Sequence, residues 1–114
     1  MMTGPDARTE ITALELKKRL DAGENVVLLD IREPHELAIC TLANTTAHIP
    51  MGDLMERLNE LEKFRNQDIV VYCRSGNRSD SCAEFLRDQG FSGLNLTGGI
   101  IAWSNDVDSS IQKY

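Results

Sequence analysis

The chain has little that would tie it to most binding classes. It has three cysteines, an odd number in no close pairing pattern, so a disulfide scaffold is not expected and reduced thiols in a cytoplasmic setting are the simpler reading. It has only two histidines, His35 and His48, and their separation in the pattern does not suggest a metal site. Basic residues are outnumbered by acids, 12 to 18, for a formal net charge of −6. A general attraction to nucleic acid or to an anionic membrane is therefore not expected. No apolar run approaches the length of a membrane-spanning helix. No basic stretch followed by an apolar one opens the chain, so no signal peptide is expected. There is no internal repeat and no low-complexity segment.

What remains is 114 residues of ordinary globular composition, enough for one domain with one core. Residues 1–9 are polar and expected to form a flexible N-terminal segment, with the domain over 10–105 and a polar, irregular tail over 106–114. Thr12-Ala13-Leu14-Glu15 has the form of a capping box, and Leu16 and Leu20 then share a face of a short amphipathic helix. Asp21 to Asn25 is a turn. Val26 to Leu29 is a continuous apolar run ending at Asp30, the pattern of a strand covered on both faces. Pro34 suits a first helical position in a short helix reaching about Ile39, and Glu33 and Glu36 suit its positive end. Ala47 to Pro50 reads as a brief strand closed by proline. Asp53 is a candidate cap for a helix in which Leu54, Leu58 and Leu61 recur at helical spacing.

The most informative stretch is Ile69 to Ser79. Ile69-Val70-Val71-Tyr72 is a second buried-strand run, and Cys73 follows at its end. Arg74, Ser75, Gly76, Asn77, Arg78 and Ser79 come next, a locally basic loop in an acidic chain. A helix begins at once, with Cys82, Phe85, Leu86 and Gln89 on one stripe and Gly90 as its stop. Leu94-Asn95-Leu96 is a short strand, Thr97-Gly98-Gly99 a tight turn, and Ile100 to Trp103 opens a final helix. Strands separated by helices imply a mainly parallel α/β sheet with helices on both faces. Sites in such sheets lie beyond the carboxyl ends of the strands, where Cys73 and Asp30-Ile31-Arg32 both fall. A thiol beside a helix start and two arginines has the setting of a nucleophile: the thiolate is the reactive form, and loop N–H groups and cations favour it. The bland readings differ from residue to residue. Cys40, Cys82 and Trp103 suit core packing, His35 a helix surface, and Ser79 either a donor to sulfur or a helix cap. Arg74 suits exposure toward a substrate. Arg78 is either a substrate ligand or a structural partner of an acid such as Glu33 or Asp30.

Five segments in order, Asp30 to Glu36, His48-Ile49-Pro50, Val71 to Ser79, Gly90-Phe91 and Leu96 to Trp103, resemble the rhodanese domain over about residues 10 to 105. The resemblance implies the rhodanese fold, α/β with a five-stranded mainly parallel sheet and helices on both faces. It implies a sulfurtransferase of the thiosulfate sulfurtransferase type in which Cys73 carries a persulfide, with no metal and no organic cofactor. The implied site is Cys73 with Arg74, Ser75, Gly76, Asn77, Arg78 and Ser79 around its sulfur, braced by Asp30 and Arg32. The implied partners are a small anionic donor such as thiosulfate and a thiol or cyanide acceptor. The loop from Cys73 to Arg78 has the six-residue length of the sulfur-transferring members, one shorter than in the related dual-specificity phosphatases. Glu36 to Cys40 and His48 to Met51 also resemble rhodanese modules fused to sulfur-carrier adenylating enzymes. That implies an alternative, a protein-to-protein sulfur relay in thio-cofactor or tRNA thiolation pathways. The chain departs from the family at Leu42 to Thr46, where a glycine-containing phrase is usual.

Overall fold

The computed structural model describes residues 8–114. The expectation for the N-terminal segment lies, for residues 1–7, outside the described residues. Five parallel strands form one sheet in the order β1-β5-β4-β2-β3: β1 Glu10–Ile11, β2 Val27–Asp30, β3 Ala47–His48, β4 Asp68–Tyr72 and β5 Ser92–Leu96. Four helices connect and cover them: α1 Ala13–Asp21, α2 Pro34–Leu37, α3 Asn77–Asp88 and α4 Gly99–Asp106. Each crossover returns the chain to the same end of the sheet, so every strand presents its carboxyl end to one rim.

The central strands are buried on both faces, which is why β2 and β4 read as unbroken apolar runs. Alternation along them divides the core. Leu28, Val70, Tyr72, Leu94, Leu96 and Ile100 pack on one face with Leu16 of α1. Val27, Leu29, Ile69 and Val71 pack on the other with Cys82, Ala83 and Leu86 of α3. Cys73 belongs to this second cluster, two residues beyond Val71 and so on the same face. That parity aims its sulfur at the start of α3.

The capping box forms as expected: Thr12 Oγ1 accepts from Glu15 N at 3.1 Å, and Thr12 N donates to Glu15 Oε1 at 2.9 Å. Three expectations need correction, and one strand was not anticipated. Strand β1 has no signal of its own; two residues carry no period, and only pairing with Asn95 and Leu96 makes Glu10-Ile11 a strand. The helix expected from Asp53 is instead a succession of turns, with 3-10 segments at Met51–Asp53 and Leu58–Phe64. Leu54 and Leu61 are still buried. A 3-10 turn advances about 2.0 Å per residue against about 1.5 Å for an α-helix, which suits a segment spanning from the sheet rim back to the start of β4. Helix α2 stops at Leu37, short of Ile39. On α3 the buried stripe is Ser79, Cys82, Ala83 and Leu86, while Gln89 is exposed.

The unusual Leu42–Thr46 loop is tied down by side chains. Thr45 Oγ1 donates to Leu42 O at 2.7 Å and lies 2.6 Å from the Tyr72 hydroxyl, whose oxygen in turn accepts from Leu42 N at 3.4 Å. The tail beyond α4 is irregular but packed: Ile111 joins the α1 side of the core, Ser104 Oγ donates to Ile111 O at 2.8 Å, and Tyr114 reaches the rim.

Candidate active site

Strand β4 ends at Tyr72, and the loop from Cys73 turns back into α3 within four residues. Gly76 permits the turn: its φ is +98°, and a Cβ there would lie 3.1 Å from Gly98 N. The floor of the loop is the start of α4. Ile100 N donates to Cys73 O at 3.0 Å and Ile101 N to Arg74 O at 3.1 Å, so helix N-terminal donors that have no partner within α4 hold the loop carbonyls. Gly99 makes this approach possible. It has φ +53°, and a Cβ would press on the backbone of Cys73 and come within 2.7 Å of Arg74 O.

The Cys73 sulfur is buried among polar partners. Gly76 N–H donates to Sγ at 3.1 Å, and Ser79 Oγ lies 3.4 Å away. Burial pushes the thiol pKa up, but the Ser79 hydroxyl and the backbone N–H groups of Ser79, Gly76 and Ser75 outweigh it, and the net direction is down. Cys82, one turn further on, is pushed up to about 11 by burial, reinforced by the negative charge of an ionised Cys73. The two thiols differ in environment: Cys73 is shifted toward ionisation and Cys82 away from it.

A second layer of charge braces the rim. Arg32 is fully buried and donates through Nε to Asp30 Oδ1 at 3.0 Å and through Nη2 to Asp30 Oδ2 at 2.8 Å. It also donates to Cys40 O at 2.7 Å and the Tyr114 hydroxyl at 2.8 Å. Burial pushes the Arg32 pKa down, but Asp30 and Tyr114 outweigh it and hold the guanidinium charged. His48 Nε2 sits 2.7 Å from Arg32 O, which as a carbonyl can only accept, so the ring carries its proton there. Arg78 donates to both oxygens of Glu36, at 2.8 and 2.9 Å. Glu36 also accepts from Glu33 N at 3.0 Å and the Tyr114 hydroxyl at 2.7 Å.

Cys73, Ser75, Gly76 and Ser79 thus come together around the sulfur, and Asp30 and Arg32 stand behind them as a brace. Four expected roles are sharpened or changed. Arg78 pairs with Glu36 rather than with Glu33 or Asp30, because α2 turns the Glu36 side chain toward α3. Arg74 is exposed, but its Nε donates to the Tyr114 backbone oxygen and its guanidinium lies 5.5 Å from the Tyr114 ring centre. Asn77 is exposed on the first turn of α3 and is not among the groups hydrogen-bonded to the sulfur. Ser79 faces inward and does not cap α3, whose cap is Gly76. Sequence reasoning missed Glu36, Asn95 and Tyr114 as site residues. Glu36 lay within the Asp30–Glu36 segment, but nothing there singled it out as the partner of Arg78. Tyr114, far along the chain in a polar tail, gave no signal.

The family model for the rhodanese-like domain matches residues 12–106. This chain belongs to the rhodanese-like family. The rhodanese-like chain is 43% identical over 96 residues to a sulfurtransferase of Allochromatium vinosum, covering 83% of this chain and 87% of that one. It is 37% identical over 110 residues to the adenylyltransferase and sulfurtransferase MOCS3-1 of Zea mays, covering 91% of this chain but 23% of that longer protein. Among solved structures it resembles a rhodanese-related protein of Thermoplasma volcanium, with TM-score 0.77, 34% identity and coverage of 87% of this chain and 93% of that one. It also resembles a rhodanese-like domain protein of Staphylococcus aureus, with TM-score 0.78, 29% identity and coverage of 93% and 98%. The expected rhodanese fold is the observed one, and the chain is of the sulfurtransferase type at the level of the family. Among the described residues, no helix is long and apolar enough to cross a membrane.

Proposed function

We propose that this domain transfers sulfane sulfur through a persulfide on Cys73. The observation that carries the reading is a buried thiol at the end of β4 that accepts from Gly76 N–H at 3.1 Å and lies beside Ser79. In the first half-reaction the Cys73 thiolate attacks the outer sulfur of a donor such as thiosulfate. The donor's S–S bond breaks, sulfite leaves with the bonding electrons, and Cys73–S–S⁻ remains. In the second, a thiol or cyanide attacks the terminal sulfur, and Cys73 departs as the thiolate. With cyanide the product is thiocyanate. The loop N–H groups stabilise negative charge on sulfur at both stages. The six-residue span from Cys73 to Arg78 supports sulfur over the larger phosphate group. The three free thiols support a reducing compartment such as the cytoplasm.

A second reading concerns the donor. Both loop arginines are engaged within the protein, Arg78 by Glu36 and Arg74 by Tyr114, which leaves less free positive charge for a small dianion. Together with the likeness to the maize adenylyltransferase and sulfurtransferase, this favours a protein persulfide as donor and a sulfur-relay partner as acceptor. The purified domain is assayed for thiocyanate formation from thiosulfate and cyanide, and in parallel for sulfur uptake from a persulfidated desulfurase. Both activities are expected in the wild type and in Cys82→Ser and to vanish in Cys73→Ser. Faster uptake from the protein donor supports the relay. Thiocyanate formation that survives Cys73→Ser overturns the reading.

A further inference from the structure

Asn95 is the next-to-last residue of β5, flanked by Leu94 and Leu96 on the opposite face, and pairs in register with Val71. It therefore shares the face of Cys73 and is nearly buried beneath the loop, at 6% exposure. A polar side chain in a buried strand needs partners, and Asn95 has two, both in the site. Its Nδ2 donates to Gly76 O at 3.2 Å, and its Oδ1 accepts from Ser79 Oγ at 2.6 Å. The orientation of the amide follows from those partners. Gly76 O is a carbonyl and can only accept, so the NH2 group must face it and the oxygen must face Ser79. A serine hydroxyl carries one proton. With that proton directed to Asn95, only a lone pair of Ser79 faces Cys73 Sγ, 3.4 Å away.

We propose that Asn95 is a positioning residue for Cys73: its side-chain carbonyl claims the one hydroxyl proton of Ser79, so that Ser79 accepts from the resting thiol and donates to sulfur only by leaving Asn95. The inference deepens the reading of Cys73 as the reacting thiol and rests on it. When Cys73 ionises, its proton passes to solvent. The thiolate then needs a donor, and the Ser79 hydroxyl turns from Asn95 Oδ1 to the sulfur. A buried carbonyl loses its partner at that moment, which opposes ionisation. Nδ2 meanwhile keeps hold of Gly76, whose N–H donates to the same sulfur. One residue thus restrains the loop and sets the pH at which its thiol becomes reactive.

The test reads Cys73 ionisation directly, as the pH midpoint of its alkylation by iodoacetamide followed by peptide mass spectrometry. It needs no sulfur transfer, so its failure is distinct from failure of the persulfide reading, which the thiocyanate assay addresses. Removing the acceptor by Asn95→Ala, or by Asn95→Leu, which keeps the branching but is larger and apolar, frees the Ser79 proton. The midpoint should fall by about one pH unit, the scale of one hydrogen bond to a charged group. In a Ser79→Ala background the same Asn95 changes should move the midpoint little. An unmoved or raised midpoint, or an equal fall with and without Ser79, overturns the proposal. If the variants do not fold, the wild type still decides the matter. The Asn95 side-chain carbonyl carbon, followed by NMR, should titrate with the same midpoint as Cys73 alkylation, and a pH-invariant signal overturns the proposal.

Discussion

Arg78 and Glu36 meet as a two-pronged ion pair, Nη1 to Oε1 at 2.8 Å and Nη2 to Oε2 at 2.9 Å, linking the first turn of α3 to α2. The pair joins two strand-end segments far apart in sequence, the one after β2 and the one after β4. Arg78 keeps 37% of its side chain exposed while Glu36 keeps 9%, so the carboxylate is the member that depends on the pair.

That dependence has a sign. Arg78 foremost, against an opposing effect of burial, holds the Glu36 carboxyl far below its ordinary value of 4.5. A depressed carboxylate stabilises the folded state above its ordinary pKa, and the contribution is lost as pH falls below about 4.5 toward the depressed value. Urea midpoints should therefore decline over this acid range in the wild type, and the decline should be shallower in Glu36→Gln. At pH 7 the substitution should cost about 1–3 kcal/mol, reduced from a fully buried pair by solvent at Arg78. Equal acid slopes in the two proteins would show that the pair does not carry this dependence.

Two glycines with positive φ separate backbone strain from crowding. Gly99 (φ +53°) lies against the Cys73–Arg74 backbone, whereas at Gly23 (φ +78°) an added Cβ meets nothing within 4 Å. Gly23→Ala should cost about 1–2 kcal/mol from backbone conformation alone. Gly99→Ala should cost clearly more and also reduce sulfur transfer, because the loop carbonyls of Cys73 and Arg74 must move off the start of α4. Thermal melts and thiocyanate assays of both variants measure the difference. Matching losses of stability with transfer intact in both would mean that the Gly99 contact does not shape the loop.

The sheet and the thiol loop were legible because each has a strong local cause. The runs Val26–Leu29 and Ile69–Tyr72 are apolar because both faces of β2 and β4 are covered, and Cys73 stands where such a run stops. The partners of the loop were less legible because they are set by tertiary geometry. Arg78 could meet any of several acids after β2, and the short α2 selects Glu36. Asn95 reads as one polar residue between two leucines, and only the Val71–Asn95 register places it under the sulfur. The Leu54, Leu58 and Leu61 spacing fits both an α-helix and a run of 3-10 turns, and chain reach decides between them. Tyr114 enters from a tail with no periodic signal, yet its hydroxyl bridges Arg32 and Glu36.

The central claim is that Cys73 carries the transferred sulfur, and intact-protein mass spectrometry after thiosulfate treatment tests it most directly. The account predicts a gain of the mass of one sulfur atom, mapped to the peptide containing Cys73, reversed by cyanide and absent in Cys73→Ser while Cys82→Ser still shows it. A gain that persists in Cys73→Ser, or that maps to Cys40 or Cys82, would contradict it.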